Sequence, residues 1–109
     1  MQRIVHCFKQ QQRIENGIII ADDVVTRTAI FDYDFTGENV EISIFPTLTA
    51  KKAKLVKQVG FKLFYQGIDP DYRFELECWP DNGTIKQLSV FREDTGVEYR
   101  YISDHQDRM

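Results

Sequence analysis

Short segments in which apolar and polar residues alternate, each followed by turn-forming residues, recur along most of this chain. The clearest segment runs from Tyr72 to Trp79, and the turn-forming residues 80–83 separate it from a second alternating run that ends at Phe91. An alternation with a period of two places one set of side chains on each face of a β-strand. Gly83 supplies the positive φ that a tight reversal needs. The pattern therefore predicts antiparallel strands that bury one face.

The pairing of these strands follows from the requirement that their apolar residues share a face. Burial of a large apolar side chain contributes about 1.5–3 kcal/mol, which outweighs any exposed ion pair that a different register would form. Around a three-residue loop over 81–83, this requirement predicts the cross-strand pairs Phe74 with Val90, Leu76 with Leu88, and Trp79 with Ile85. The following strand extends the same surface through the pairs Val90 with Tyr99 and Leu88 with Tyr101.

The first predicted hairpin lies near the amino end. Asn16-Gly17 is typical of a type I′ turn, and the run Ile18-Ile19-Ile20 follows it directly. Three consecutive apolar residues indicate either a strand covered on both faces or a strand with an apolar side left for a partner. The sequence does not decide between these two interpretations.

A second hairpin is predicted across residues 36–39. Pairing Phe35 with Val40 keeps the neighbouring aromatic and isoleucine side chains on one face, whereas a slip by one residue would scatter them over both faces. In this register the opposite face sets Asp34 directly against Glu41. Like charges at such a position are mildly destabilising.

One segment has the periodicity of a helix. Thr47 or Thr49 can cap a helix that runs to about Val59, and Gly60 fits the position after its last turn. Lysines lie along one side of this segment. Four apolar side chains fall within a single arc of it at 100° per residue: Leu48, Leu55, Val56 and Val59. The segment therefore predicts one amphipathic helix of about three turns.

These elements predict a single α+β domain over residues 1–109. We expect a strongly curved, mainly antiparallel sheet of six or seven strands with the one helix packed on its concave face. Because one helix covers only part of such a sheet, either the sheet curls around the helix or its remaining apolar surface meets another subunit. The alternative is a mainly-β barrel in which the helix is a brief connection.

Composition narrows the class of protein. A chain of 109 residues, 42% of them hydrophobic, can bury a core without disulfides. The net charge of −3 disfavours nucleic acid as a partner. No segment approaches the ~20 apolar residues of a membrane span, and the first residues do not resemble a signal peptide. Cys7 and Cys78 are interpreted as free, buried thiols of a cytoplasmic protein, with a disulfide left open if their strands are neighbours.

No constellation for catalysis or metal binding stands out in the sequence. His6 and His105 have no carboxylate partner at a fixed spacing, and neither CxxC nor HxxxH spacing occurs. Cys7 and His6 are neighbours on a strand, so their side chains point to opposite faces and do not form a dyad. An enzyme is therefore disfavoured, and we expect no cofactor and no metal.

The leading hypothesis is a non-enzymatic module that binds another protein, of the inhibitor, immunity or adaptor type, and that forms a homodimer or larger homo-oligomer. Asp32, Asp34 and Glu41 form a carboxylate cluster suited to a basic partner, although a solvated outer face is the simpler interpretation. Arg73 and Trp79 share a strand face and belong to residue types that anchor interfaces. For Trp79, a packing role on a half-exposed surface is the simpler interpretation.

Two further hypotheses come from different classes of protein. The first is a small-ligand-binding domain with a pocket between helix and sheet, lined by hydroxyl groups of Tyr33, Tyr65, Tyr99 and Tyr101. The second is a nucleic-acid-associated factor that uses a basic patch on the helix, formed by Lys51, Lys54 and Lys57. No aromatic residue lies among these lysines, so an exposed helix face is the simpler interpretation.

Overall fold

The described residues form eight antiparallel β-strands arranged as a closed barrel. The computed structural model describes residues 2–33, 38–45, 48–80 and 84–103, except for the side chains of Gln2 and Tyr33. Each strand pairs with the next along the chain, and β8 pairs with β1 to close the barrel. The strands are β1 (Gln2–Glu15), β2 (Ile18–Tyr33), β3 (Asn39–Phe45), β4 (Leu48–Val59), β5 (Lys62–Gly67), β6 (Tyr72–Cys78), β7 (Ile85–Arg92) and β8 (Val97–Ile102).

The predicted α+β fold is wrong, because the described residues contain no helix and the sheet closes on itself. The alternative of a mainly-β barrel is closer to the structure, although it too assigned a short helix. In a closed barrel the apolar faces of the strands cover one another across the interior, so no helix is required to bury them. Within the described ranges, no helix has the length and apolarity that crossing a bilayer requires.

The segment predicted to be a helix forms β4, which pairs with β3 on one side and β5 on the other. Ala53 is buried in the core, and Leu55 packs against the core. Lys52 precedes Ala53 and Lys54 lies between Ala53 and Leu55, and both lysines are exposed. This is the period of a strand. Two neighbouring strands satisfy the backbone hydrogen bonds of the segment, and such tertiary context overrides a modest helix propensity. Gly60 has a φ of 59°, but it serves the turn between β4 and β5.

The registers predicted for β6, β7 and β8 are confirmed with one exception. Four of the predicted cross-strand pairs occur: Phe74 with Val90, Leu76 with Leu88, Val90 with Tyr99, and Leu88 with Tyr101. The predicted pairing of Trp79 with Ile85 is wrong, because a register shift between Glu77 and Cys78 sets Cys78 opposite Ile85. The loop residues 81–83 lie outside the described residues.

The register predicted between β2 and β3 is wrong by two residues. Phe31 lies opposite Ile42, and Asp32 rather than Asp34 lies opposite Glu41. A shift by two keeps every side chain on its original face, so the apolar face was identified correctly although its pairing was not. Asp34 and the turn of this hairpin lie outside the described residues.

Apolar side chains from all eight strands converge in the barrel interior. Phe31 and Phe74 belong to the buried cluster, and Leu76 and Tyr99 pack against it, as expected for antiparallel strands that bury one apolar face. The largest fully buried apolar side chains are Phe8, Phe74, Ile42, Ile44 and Leu88. Each such burial contributes about 1.5–3 kcal/mol to stability.

The β1–β2 hairpin has the predicted turn and an exposed apolar strand. Asn16 and Gly17 have φ values of 52° and 77°, as a type I′ turn requires. Among the described strands, the first part of β2, residues 18–27, pairs with β1 alone. Ile18, Ile19 and Ile20 are 65%, 49% and 49% exposed. The interpretation as a strand covered on both faces is therefore wrong, and this part of β2 presents an open edge.

Candidate functional site

A cavity of about 220 Å³ reaches into the barrel interior. Tyr72 begins β6 and Arg92 ends β7, so the cavity lies toward the end of the barrel that carries the β5–β6 and β7–β8 turns. Its lining comes from six strands and consists of Gln11, Ile44, Leu48, Tyr72, Val90, Arg92, Tyr99 and Tyr101. Ile44, Val90 and Tyr101 are buried core residues, which shows that the cavity is continuous with the core.

Two residues of the cavity lining each have a buried polar atom that makes no hydrogen bond within the described part of the chain. Gln11 Oε1 and Arg92 Nε have no hydrogen-bond partner in the described part of the chain. A buried donor or acceptor left without a partner costs about 1–3 kcal/mol. Natural structures leave few such atoms, so each of them requires an explanation. Two residues that line the same cavity thus each contain one buried polar atom without a partner among the described residues.

The Arg92 guanidinium is held at the cavity by its neighbours. Its Nη2 donates to Asp94 Oδ2 at 2.9 Å, and its guanidinium carbon lies 5.4 Å from the centre of the Tyr72 ring. The hydrogen bond to Asp94 and the nearby Tyr72 raise the pKa of Arg92, so the group stays charged. Lys51 Nζ lies 4.8 Å from the same Tyr72 ring and 3.8 Å from Asp69 Oδ2. Two cations therefore flank Tyr72.

Of the four tyrosines predicted to line a pocket, two do so. Tyr99 and Tyr101 line the cavity, whereas Tyr65 is buried in the core and is not part of this lining. The side chain of Tyr33 lies outside the described residues. The predicted position between a helix and the sheet is wrong, because the cavity lies inside the barrel.

Sequence reasoning missed Gln11, Tyr72 and Arg92, and for two of them a signal was present. Tyr72 and Arg92 are cross-strand partners, one step beyond the pair Phe74 and Val90 on the same face. Extending the predicted register would have placed a charged residue at a core position, which is unusual without a function. Gln11 follows a register shift between Phe8 and Gln10, so simple alternation along β1 did not assign its face.

Two described members of the predicted carboxylate cluster, Asp32 and Glu41, lie beside basic residues. Arg3 Nε donates to Asp32 Oδ1 at 2.7 Å, and this hydrogen bond raises the pKa of Arg3. Lys52 lies opposite Glu41. A groove of about 280 Å³ lies beside Asp32 and Glu41, which have the outward parity of their strands, so the groove is a surface feature. Asp34 lies outside the described residues.

Arg73 and Trp79 do not join the carboxylates. They lie on and just after β6, which β4 and β5 separate from the β2–β3 pair that carries Asp32. Arg73 Nε lies 3.1 Å from Glu93 Oε1, and its guanidinium carbon lies 4.4 Å from the centre of the Phe91 ring. Trp79 is partly buried, with Lys86 Nζ 5.0 Å from its ring centre. The predicted partner-binding residues are therefore distributed over the barrel.

The predicted basic patch does not form as a helix face. Lys51 has the inward parity of Ala53 and approaches Tyr72, whereas Lys54 and Lys57 lie on the exposed side of β4. Lys57 Nζ lies 5.6 Å from the Phe64 ring centre. A spacing of three residues aligns side chains on a helix but not on a regular strand. Of the three lysines, Lys54 and Lys57 face solvent, whereas Lys51 does not join them.

The cysteines and histidines contribute no metal site within the described residues, where no group of three or more His, Cys, Asp or Glu side chains comes together. Cys7 and Cys78 are free thiols. The predicted burial of Cys7 is wrong, since it is exposed, and Cys78 is partly buried. Burial, followed by the charge of Glu77, raises the pKa of Cys78.

Comparisons of the chain with models of protein families, with curated proteins and with solved structures return no match. Any assignment of function therefore depends on the geometry of the barrel and its cavity.

Proposed function

We propose that this protein is a small-molecule-binding barrel that holds its ligand in the interior cavity. The observation that supports this proposal most directly is a largely apolar cavity whose lining includes two residues with an unsatisfied buried polar atom, Gln11 and Arg92. Ligand sites are typically apolar hollows with a few convergent polar groups. An eight-stranded barrel has an interior of the size that can hold one small ligand.

The proposed role is binding rather than catalysis. The cavity lining supplies hydrogen-bonding and aromatic groups, but none of the described residues that line it is a histidine, cysteine or carboxylate that could act as a nucleophile or base at neutral pH. A cytoplasmic location is part of the proposal, because two free thiols suit a reducing compartment.

Ligand binding can be tested by titrating small organic compounds into the protein and recording thermal shifts and NMR chemical shifts. We expect binding to raise the melting temperature and to perturb Tyr99 and Tyr101. Leu48→Trp, which places a larger side chain at the cavity, should abolish both effects. Ile68→Trp is a matched control, because Ile68 is 73% exposed and does not line this cavity. If no compound of suitable size binds, or if Leu48→Trp binds as well as wild type, the proposal is wrong.

A second candidate function, protein binding, is favoured by the open edge of β2. Residues 18–27 present unpaired backbone groups beside Ile18, Ile19 and Ile20, and exposed apolar edges pair readily with another strand. Size-exclusion chromatography with light scattering tests the self-association that we expected from the sequence. Ile20→Lys should convert an oligomer to a monomer, whereas Val59→Lys, at another exposed apolar position, should not. A wild-type chain that is monomeric at high concentration would remove self-association from this candidate.

A further inference from the structure

The size of the cavity limits the ligand to a small molecule. An apolar cavity of about 150 Å³ in another protein is known to accommodate benzene. The volume of about 220 Å³ in this barrel therefore suits one ring, or a short alkyl chain, with a small polar substituent. Larger molecules such as nucleotides exceed this volume.

The apolar part of the lining favours a ligand that is itself mainly apolar. Ile44, Leu48 and Val90 supply aliphatic surface, and the rings of Tyr72, Tyr99 and Tyr101 supply flat surface. These side chains come from several strands, so they surround the cavity rather than forming one wall. An aliphatic chain or an aromatic ring can pack against such a lining.

The charge of the lining determines the head group. Among the described residues that line the cavity, Arg92 alone carries a charge. Asp94 accepts from Nη2, but Nε is buried and still has no acceptor in the described part of the chain. Lys51 adds a second cation near Tyr72. Asp94 and Asp69 pair with these two cations, and a ligand anion can still form a charge-assisted bond with the Arg92 guanidinium at the cavity.

We propose that the ligand is a small apolar monocarboxylate whose carboxylate pairs with the Arg92 guanidinium and whose apolar part packs among the tyrosines. This inference rests on the proposed ligand-binding function and specifies its ligand class. Phosphate esters and dicarboxylates are disfavoured, because the lining is mainly apolar and Arg92 is the one charged residue among the described residues that line it. Aromatic and aliphatic monocarboxylates share the required chemistry.

The test compares each acid with its neutral amide, which has nearly the same shape. Phenylacetate represents the aromatic acids, and its neutral counterpart is phenylacetamide. Hexanoate represents the aliphatic acids, and its neutral counterpart is hexanamide. Isothermal titration calorimetry at neutral pH measures the four affinities. We expect at least one acid to bind with an affinity at least tenfold higher than that of its amide. The acid that binds shows whether the apolar part of the ligand is aromatic or aliphatic.

Three variants assign the preference to Arg92. Arg92→Met should reduce the affinity for the acid by at least tenfold and leave the affinity for the amide within about twofold. Arg92→Lys, which retains the charge, should keep a measurable preference for the acid and serves if the Met variant does not fold. Arg100→Met is the matched control, because Arg100 pairs with Glu98 and does not line the cavity. Circular dichroism checks the fold of each variant.

The outcomes separate the two proposals. If the amides bind the barrel as tightly as the acids, or if Arg92→Met keeps the preference for the acid, the monocarboxylate inference is wrong while the binding function stands. If neither acids nor amides bind, and other compounds of this size also fail, the binding function itself is wrong.

Discussion

Cys7 and Cys78 illustrate how the surroundings of one side chain set its chemistry. Cys7 is exposed, with its Sγ 3.9 Å from Thr28 Oγ1, whereas Cys78 is partly buried where the β6–β7 register shifts. Burial disfavours the thiolate, and the Glu77 carboxylate adds to this effect, so the pKa of Cys78 is raised. Because the thiolate is the reactive form, the two thiols should differ in reactivity.

We expect iodoacetamide at about pH 8 to modify Cys7 first, with alkylation of Cys78 slower by about tenfold or more. Mass spectrometry over time measures both rates. Cys7→Ser should leave only the slow reaction, and Cys78→Ser only the fast one. Equal rates at the two positions would contradict the described difference in burial.

The raised pKa of Cys78 also predicts a dependence of stability on pH. Below the ordinary thiol pKa of 9.0 the thiol is protonated in both the folded and the unfolded state. As the pH rises past this value the unfolded thiol ionises first, so the free energy of unfolding falls until the folded thiol also ionises. Urea unfolding between about pH 8 and 10 measures this fall. It should be smaller in Cys78→Ser than in the wild-type chain, and an equal fall in the two would contradict the raised pKa.

Arg92 could have been located from the sequence, but its role could not. It follows Leu88 and Val90 at the same parity on β7, so an extended register places its charge among core positions. What the pattern cannot supply is the position of Asp94, which accepts from the guanidinium, or of Gln11, which approaches from β1 across the barrel. These contacts depend on closure of the barrel rather than on local alternation.

At the scale of the element, β4 shows how one sequence can satisfy two periods. Leu48, Leu55 and Val59 fit a helical arc, yet Ala53 and Leu55 also fit the inner face of a strand. A register shift between Leu55 and Lys57 interrupts the alternation, which hid the strand pattern. The local sequence does not contain the deciding factor, namely the two neighbouring strands that complete the hydrogen bonds of β4.

Ala53 distinguishes the two assignments experimentally. In the barrel it is 2% exposed, so Ala53→Lys buries a charge without a partner and should lower the free energy of unfolding by about 3 kcal/mol or more. On the predicted helix the same position lies outside the apolar arc, and the change would cost little. Chemical denaturation measures the difference, and Lys54→Ala, at an exposed position, should change stability by less than about 0.5 kcal/mol.

At the scale of the whole molecule, the sequence predicted the hairpins better than the architecture. The registers of β6, β7 and β8 follow from local apolar pairing and short turns. The β1–β8 ladder, from the pair Gln10 with Ile102 to the pair Glu15 with Val97, has no local signal. Without it, the sequence predicts a curved sheet with an open apolar face, on which the helix predicted from the periodicity of the segment ending at Val59 would pack.

The same ladder has a kinetic consequence. Among the described strands, it is the single pairing that joins segments distant in sequence, while every other ladder connects chain neighbours. Hairpins form in about 1–10 μs, but contacts across most of a chain carry a large loop-closure entropy and slow the folding of β proteins to milliseconds or seconds. We expect stopped-flow fluorescence of Trp79 to record refolding on that slower scale. The rate at which this protein refolds after dilution from urea would then be set by how quickly its first and last strands meet.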